Sequence, residues 1–304
     1  MTNNLSLRVL SWNVHATPVA SNRAERLDRA ARRILEEMPD AALLQEVWGR
    51  EDARRVMRSL ESDYRAVDVP KNGFFLRPSG LLTFVRREGW AVRASSFHEF
   101  EAVGSAWWKP WEGDSYSGKG CQRIDLERGG VGIALINTHL QAEYGVDDRS
   151  RYVDVRASQL EELRRFVESV PLALPVIAAG DLNTRPSEHP YASLVEFWRD
   201  LGEEHRRGCR CGTHFLENER EGDWIDYILA RRGGDWNVEV TAFARIESTS
   251  LDVPFSDHHG LVASLVLARR ERAALALVLA SPALRTASLT RRECMLALAA
   301  PFLS

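Results

Sequence analysis

The stretch GDLNTRP, residues 180–186, ends the apolar run PVIAA with a carboxylate and a carboxamide. Both types disfavour strands and are costly to bury unpaired. Gly, Asp and Asn also build turns, so this stretch alone is either a connection or a pair of groups, Asp181 and Asn183, held at the mouth of a rigid strand. The pattern recurs along the chain. Asn13 follows LSW, Glu46 follows LLQ, His139 follows INT, Asp226 lies in WIDYIL, and Asp257 and His258 precede the run HGLVASLVLA. A lone Glu46 or His139 is explained by a hydrogen-bonded strand end, because buried polar groups have partners for structural reasons. Recurrence at so many strand ends points to one shared site. A hard divalent cation takes oxygen from one or two carboxylates and keeps several waters, and Glu46 with Asp257 supplies those ligands. The remaining residue types, a base for water and donors aimed at developing negative charge, are those phosphoryl chemistry requires.

Strands and helices must carry these groups to one place. LRVLSWNV, AALLQEVW, YRAVDV, GLLTFVRR, WIDYILA, NVEVTAFARIE and HGLVASLVLA read as strands, and PVIAAGDLN returns to strand after a helix. CQRIDLER and VGIALINTHL flank Gly129-Gly130, a hairpin signal. RAERLDRAARRILEEM places Ala24, Leu27, Ala31, Ile34, Leu35 and Met38 at helical spacing and stops at Pro39; EDARRVMRSLESD is helical too. RASQLEELRRFVESV carries Leu160, Leu163, Phe166, Val167 and Val170 on one face. Hairpins mixed among helices imply an α/β protein in which two sheets pack face to face under outer helices.

At 304 residues and 44% hydrophobic content, the chain is long enough for one large domain. Its net charge of -3, with both signs interspersed, weakens a nucleic-acid-binding reading. Cys121, Cys209, Cys211 and Cys294 are few and irregularly spaced, which suits a reducing compartment better than a disulfide framework. The N-terminus has no charged segment followed by an apolar one, so a cytoplasmic protein is expected, peripheral to membrane if its substrate is a lipid. HRRGCRCGTHF offers His205, Cys209, Cys211 and His214, but the cysteine gap does not match the usual zinc spacing, and zinc is disfavoured.

Taken in order, WNV, QEVW, NTHLQAEY, GDLN, IDYIL and SDHHG resemble the motif series of the endonuclease/exonuclease/phosphatase superfamily. LQEVW, EGDSYSGKG and NTHLQAEY make the chain most similar to the neutral sphingomyelinases within it. The resemblance implies a four-layered α/β sandwich of two packed mixed β-sheets flanked by helices. It also implies Mg2+, with Mn2+ as a substitute, and hydrolysis of sphingomyelin to ceramide and phosphocholine by water attack on phosphorus. A nuclease or soluble phosphoesterase of the same fold is the alternative. By matching motif, Glu46 would ligate the metal with Asp257, and Asn13 would orient the ligand shell or touch phosphate. Asp181 would accept the proton of the attacking water and Asn183 would position water or a phosphate oxygen. His258, oriented by Asp226, and His139 would act on the phosphate, while His259 is a bystander.

The expected catalytic domain spans 5–268. Trp107, Trp108 and Trp111 in GSAWWKPWEGDSYSGKG are core residues or, as a group, a membrane-interface or choline-binding element, since an aromatic face attracts quaternary ammonium. Lys119 is a phosphate contact or an exposed loop lysine. Residues 269–304 hold apolar runs too short to span a bilayer, leaving a packed helix, an interfacial helix or an unordered tail. The expected partner is a phospholipid at a membrane surface, with no nucleic acid; oligomeric state is open.

Overall fold

The computed structural model describes residues 4–69, 79–104, 112, 114, 118–144, 152–209, 211–215, 222–248 and 256–270. One six-stranded sheet runs in the order β11 (Trp236–Ile246), β12 (Gly260–Arg269), β1 (Leu5–Ala16), β2 (Ala41–Val47), β4 (Leu82–Arg86), β3 (Tyr64–Asp68). The other runs β5 (Ala91–Glu99), β6 (Gly120–Arg128), β7 (Val131–His139), β8 (Val176–Asp181), β10 (Asp226–Arg231), β9 (Trp198–Asp200). Each is mixed: β1 with β2 and β7 with β8 are parallel, and the other pairs antiparallel.

The two sheets share one core, with Leu7, Val9, Leu43 and Val85 of the first among the same cluster as Ile124, Ile133, Leu135 and Ile177 of the second. Helices α1 (Arg23–Glu37) and α2 (Arg50–Leu60) bury Leu27, Ala31, Ile34, Val56 and Leu60 against Leu10, Trp12, Leu44 and Phe84 on the first sheet. Helices α3 (Val153–Glu168) and α4 (His189–Phe197) bring Leu160, Leu163, Val167 and Leu194 into the cluster of the second. The architecture is therefore the expected layered α/β sandwich. Every residue of β8 and β10 is buried, which is why PVIAA is a continuous apolar run rather than an alternating one. α1 ends where its spacing predicts: Met38 turns left-handed and donates its amide to Ile34 O just before Pro39.

Three elements carry no sequence signal. β5 is an edge strand whose residues are mostly exposed, so AVRASSFHE has no apolar period. β9 has three residues, and α5 (Glu203–Gly208) six with none buried. Cys209 and Cys211 are joined as a disulfide, against the expectation of unpaired thiols, and Cys121 is free and buried. The chain divides into a compact unit, Met1–Arg269, and a second, Arg270–Ser304. Of the second, residues 271–304 lie outside the described residues, as do Trp107, Trp108 and Trp111.

Candidate active site

Strand register assembles the first half of the site. His139 pairs with Asp181 across the parallel β7–β8 ladder, and Asp181 pairs with Asp226 across the antiparallel β8–β10 ladder. Residues opposite one another in neighbouring strands point to the same face, so three ends form one row of side chains. Gly180 makes this row possible. A Cβ there would stand 1.8 Å from Thr138 O, so only glycine lets β8 approach β7 this closely.

The other sheet contributes from the facing side. Asn13, fully buried on β1, donates from Nδ2 to Asp181 Oδ2 at 3.0 Å and to Glu46 Oε1 at 3.1 Å, while its Oδ1 accepts the His15 amide at 3.0 Å. One carboxamide thus ties the candidate metal carboxylate to the candidate base, and its oxygen is turned to backbone. Glu46, His15 and Asn183 have φ of 62°, 44° and 47°. Non-glycine residues in the left-handed region cost free energy and concentrate at functional sites. Asn183 donates its amide to Asp181 Oδ1 at 2.9 Å and its side chain to Leu140 O at 3.2 Å, so it also holds the turn.

The segment entering β12 completes the cluster. Ser256 Oγ donates to Asn13 O at 2.6 Å and accepts the His258 amide at 3.0 Å; Trp12 Nε1 and Ser248 Oγ both donate to His258 O. His258, thus fixed, donates from Nδ1 to Asp226 Oδ2 at 2.8 Å and presents Nε2 3.7 Å from Asp181 Oδ2. Burial alone would lower the His258 pKa, but Asp226, Asp181 and Asp257 together raise it well above the usual imidazole range. Burial and the neighbouring Asp226 push the Asp181 carboxyl upward, against His258, Lys119 and Asn13. Asp226 is placed by backbone: its amide and that of Ile225 each donate to Thr213 Oγ1 at 3.0 Å.

Lys119 is a buried site residue. Its Nζ donates to His139 Nε2 at 2.7 Å and pairs with Asp114 Oδ1 at 3.1 Å. Asp114 is held in turn by Gln141 Nε2 at 2.9 Å and the Ala142 amide at 2.6 Å. Because Nε2 accepts, His139 is neutral with its proton on Nδ1; burial, Lys119 and His258 all depress its pKa. His139 Nδ1 is buried with no partner among the described residues.

The donor set fits a divalent cation. Burial and Asp257 push the Glu46 carboxyl upward, so two acids face each other with incomplete compensation. Asp257 itself is held well below the usual carboxylate range: burial raises it, but His15, whose Nδ1 lies 2.6 Å from Asp257 Oδ2, and the charges of His258 and His214 outweigh that. Asp226 Oδ1 is buried without a partner among the described residues. Asp181, Asp226 and His258, and separately His214, Asp257 and His258, bring three donor atoms within 4.8 Å of one another.

His15, Asp114 and His214 lie in the same cluster, and the sequence pattern assigns none of them a role in phosphoryl chemistry. His214, whose ring lies 4.8 Å from that of His258, was considered only as a zinc ligand. Asp114 lies inside the quoted EGDSYSGKG, which was the available signal. His259 makes local contacts: its Nδ1 accepts the Ser248 amide at 3.0 Å and its ring stacks on Phe215.

The sequence profile of the Endonuclease/Exonuclease/phosphatase family matches residues 10–258. The chain belongs to that family. It is 26% identical over 287 residues to a "Putative neutral sphingomyelinase" of Drosophila melanogaster, covering 88% of this chain and 62% of the relative. It is also 26% identical to "Sphingomyelin phosphodiesterase 2" of Homo sapiens, covering 86% and 65%. The chain therefore spans somewhat less than two thirds of these relatives' length. In fold, a humanized D. rerio TDP2 superposes with a TM-score of 0.68 at 18% identity, covering 86% of this chain and 98% of that one. Sphingomyelinase C from Streptomyces griseocarneus gives 0.63 at 17%, covering 86% and 99%.

The cytoplasmic placement expected from the N-terminus is overturned by this comparison, because the relatives are named for sphingomyelin, a lipid of membranes. No helix among the described residues is long and apolar enough to cross a membrane.

Proposed function

We propose that residues 5–268 form a metal-dependent phosphoric diester hydrolase that cleaves sphingomyelin to ceramide and phosphocholine, with 269–304 appended. The observation that carries this reading is the linked set Asp226–His258–Asp181–Asn13–Glu46, in which a base, an acid and a cation ligand share one buried mouth. The names of the relatives support sphingomyelin as the diester.

Asp181 takes a proton from the attacking water, its carboxyl raised above the ordinary carboxylate value by burial and Asp226. As the water oxygen bonds to phosphorus, the phosphorus–ceramide oxygen bond breaks and His258 delivers its Nε2 proton to that oxygen. Asp226 on Nδ1 holds the ring in the tautomer and orientation this needs. Lys119 and His139 face the same row and offer positive charge and an N–H donor to the phosphate oxygens. Glu46 with Asp257 would hold the cation, and oxygen ligands favour Mg2+, with Mn2+ as a substitute. When bound, such an ion neutralises phosphate charge and stabilises developing negative charge on oxygen. The tryptophans Trp107, Trp108 and Trp111 are proposed, from sequence, to contact choline or the lipid surface. Unchanged liposome binding by a Trp107→Ala, Trp108→Ala variant would remove the surface role.

The test is phosphocholine release from sphingomyelin liposomes with Mg2+ and with EDTA, alongside plasmid nicking. Release that EDTA abolishes and added Mg2+ restores is the expected result. Nicking without lipid cleavage would overturn the substrate and leave the strand-end chemistry in place.

A further inference from the structure

A second group of metal-capable side chains lies outside the phosphodiester site. His205 on α5, Cys209 just after that helix, and Cys211 two residues on bring a ring nitrogen and two sulfurs within 4.8 Å of one another. His205 and Cys209 are four residues apart, the spacing that stacks side chains on one helical face, and the disulfide joins Cys211 to Cys209. That pairing supplies the proximity that the cysteine gap alone does not predict. All three are half-buried, so solvent ions have access. The imidazole is held by rings: Phe243 at 5.4 Å and Trp224 at 6.2 Å between centroids. His214, the fourth residue of the same stretch, lies instead with Asp257 and His258, its ring 4.8 Å from that of His258.

We propose that His205, Cys209 and Cys211 form a site for a soft or borderline cation of the Zn2+ class, open only when the Cys209–Cys211 disulfide is reduced. Sulfur in a disulfide is a poor ligand, whereas thiolates and imidazole are the donors such ions select. A phosphine reductant opens the site with atoms balanced: the disulfide and one water become two thiols, and the phosphine becomes its oxide. Each thiol that then ligates releases its proton to solvent. Three protein donors leave the fourth tetrahedral position to water. The bound ion fastens the chain two residues before Thr213, whose hydroxyl accepts the Ile225 and Asp226 amides. The site is chemically distinct from the oxygen-rich Glu46–Asp257 pair.

Titrating the full chain with Co2+ after phosphine reduction tests this without reading activity. One equivalent is expected to produce thiolate-to-cobalt charge-transfer absorption, displaced by Zn2+, absent from the unreduced protein and from a Cys209→Ser, Cys211→Ser variant. His205→Ala should weaken Co2+ binding at least about tenfold, the cost of losing one ligand or its support. Folded, reduced wild-type protein without thiolate–cobalt absorption would overturn the site, as would absorption that survives in the double-serine variant.

Discussion

Two polar clusters are buried between the sheets, and they are built oppositely. In the middle of the sandwich, Gln45 Nε2 donates to Asn137 Oδ1 at 2.9 Å, Asn137 Nδ2 to Thr83 Oγ1 at 3.1 Å, and Thr83 Oγ1 to Gln122 Oε1 at 2.8 Å. Gln122 Nε2 and Asn137 Nδ2 also reach the carbonyls of Val67 and Leu44. This cluster is neutral, with Gln45 Oε1 its one side-chain atom lacking a partner among the described residues. At the strand ends, by contrast, carboxylates sit beside carboxylates, Asp181 by Asp226 and Glu46 by Asp257, and three non-glycine residues hold left-handed backbone. Saturated neutral groups cost little to bury and fix how the sheets face each other. Under-compensated charge and strain are instead kept at the site proposed for a cation and a phosphate.

Breaking each cluster should give opposite signatures. Asp226→Asn removes the charge on His258 Nδ1 and is expected to lower turnover about 10²–10⁴-fold, with thermal unfolding little changed; comparable turnover would detach Asp226 from the chemistry. Gly180→Ala pushes a methyl into the Thr138 carbonyl, so calorimetry should show destabilisation well beyond the about 1 kcal/mol typical of a point change. Asn137→Ala strands partners in the neutral network and should cost about 1–3 kcal/mol in urea unfolding while kcat stays near wild type. A large kcat loss at constant stability would erase the distinction between the clusters. Smallest of all, Arg93→Ala, removing an exposed pair with Glu127, should leave both the urea midpoint and turnover unchanged.

The clustering was legible because polar residues recur at the ends of apolar runs, as at Asn13, Glu46, His139 and Asp181, although each alone fits a hydrogen-bonded strand end. The sheets were legible where burial is two-sided or alternating, and not at β5, whose exposed edge leaves no period. What joins the ends was hidden. The β7–β8–β10 register depends on long-range pairing, and the His15–Asp257 contact on a left-handed residue that no local pattern demands. Lys119 could be named but not placed, because its burial depends on contacts with Asp114 and His139 that no local sequence pattern marks.

The central claim is that Asp181, at the centre of the charged cluster, is the base. Hydrolysis of a soluble activated diester, bis(4-nitrophenyl) phosphate, with Mg2+ by wild type and Asp181→Asn tests it without assuming a lipid. The account predicts a loss of at least about 10²-fold in the variant with an unchanged melting transition. Near-normal turnover in folded Asp181→Asn would contradict it.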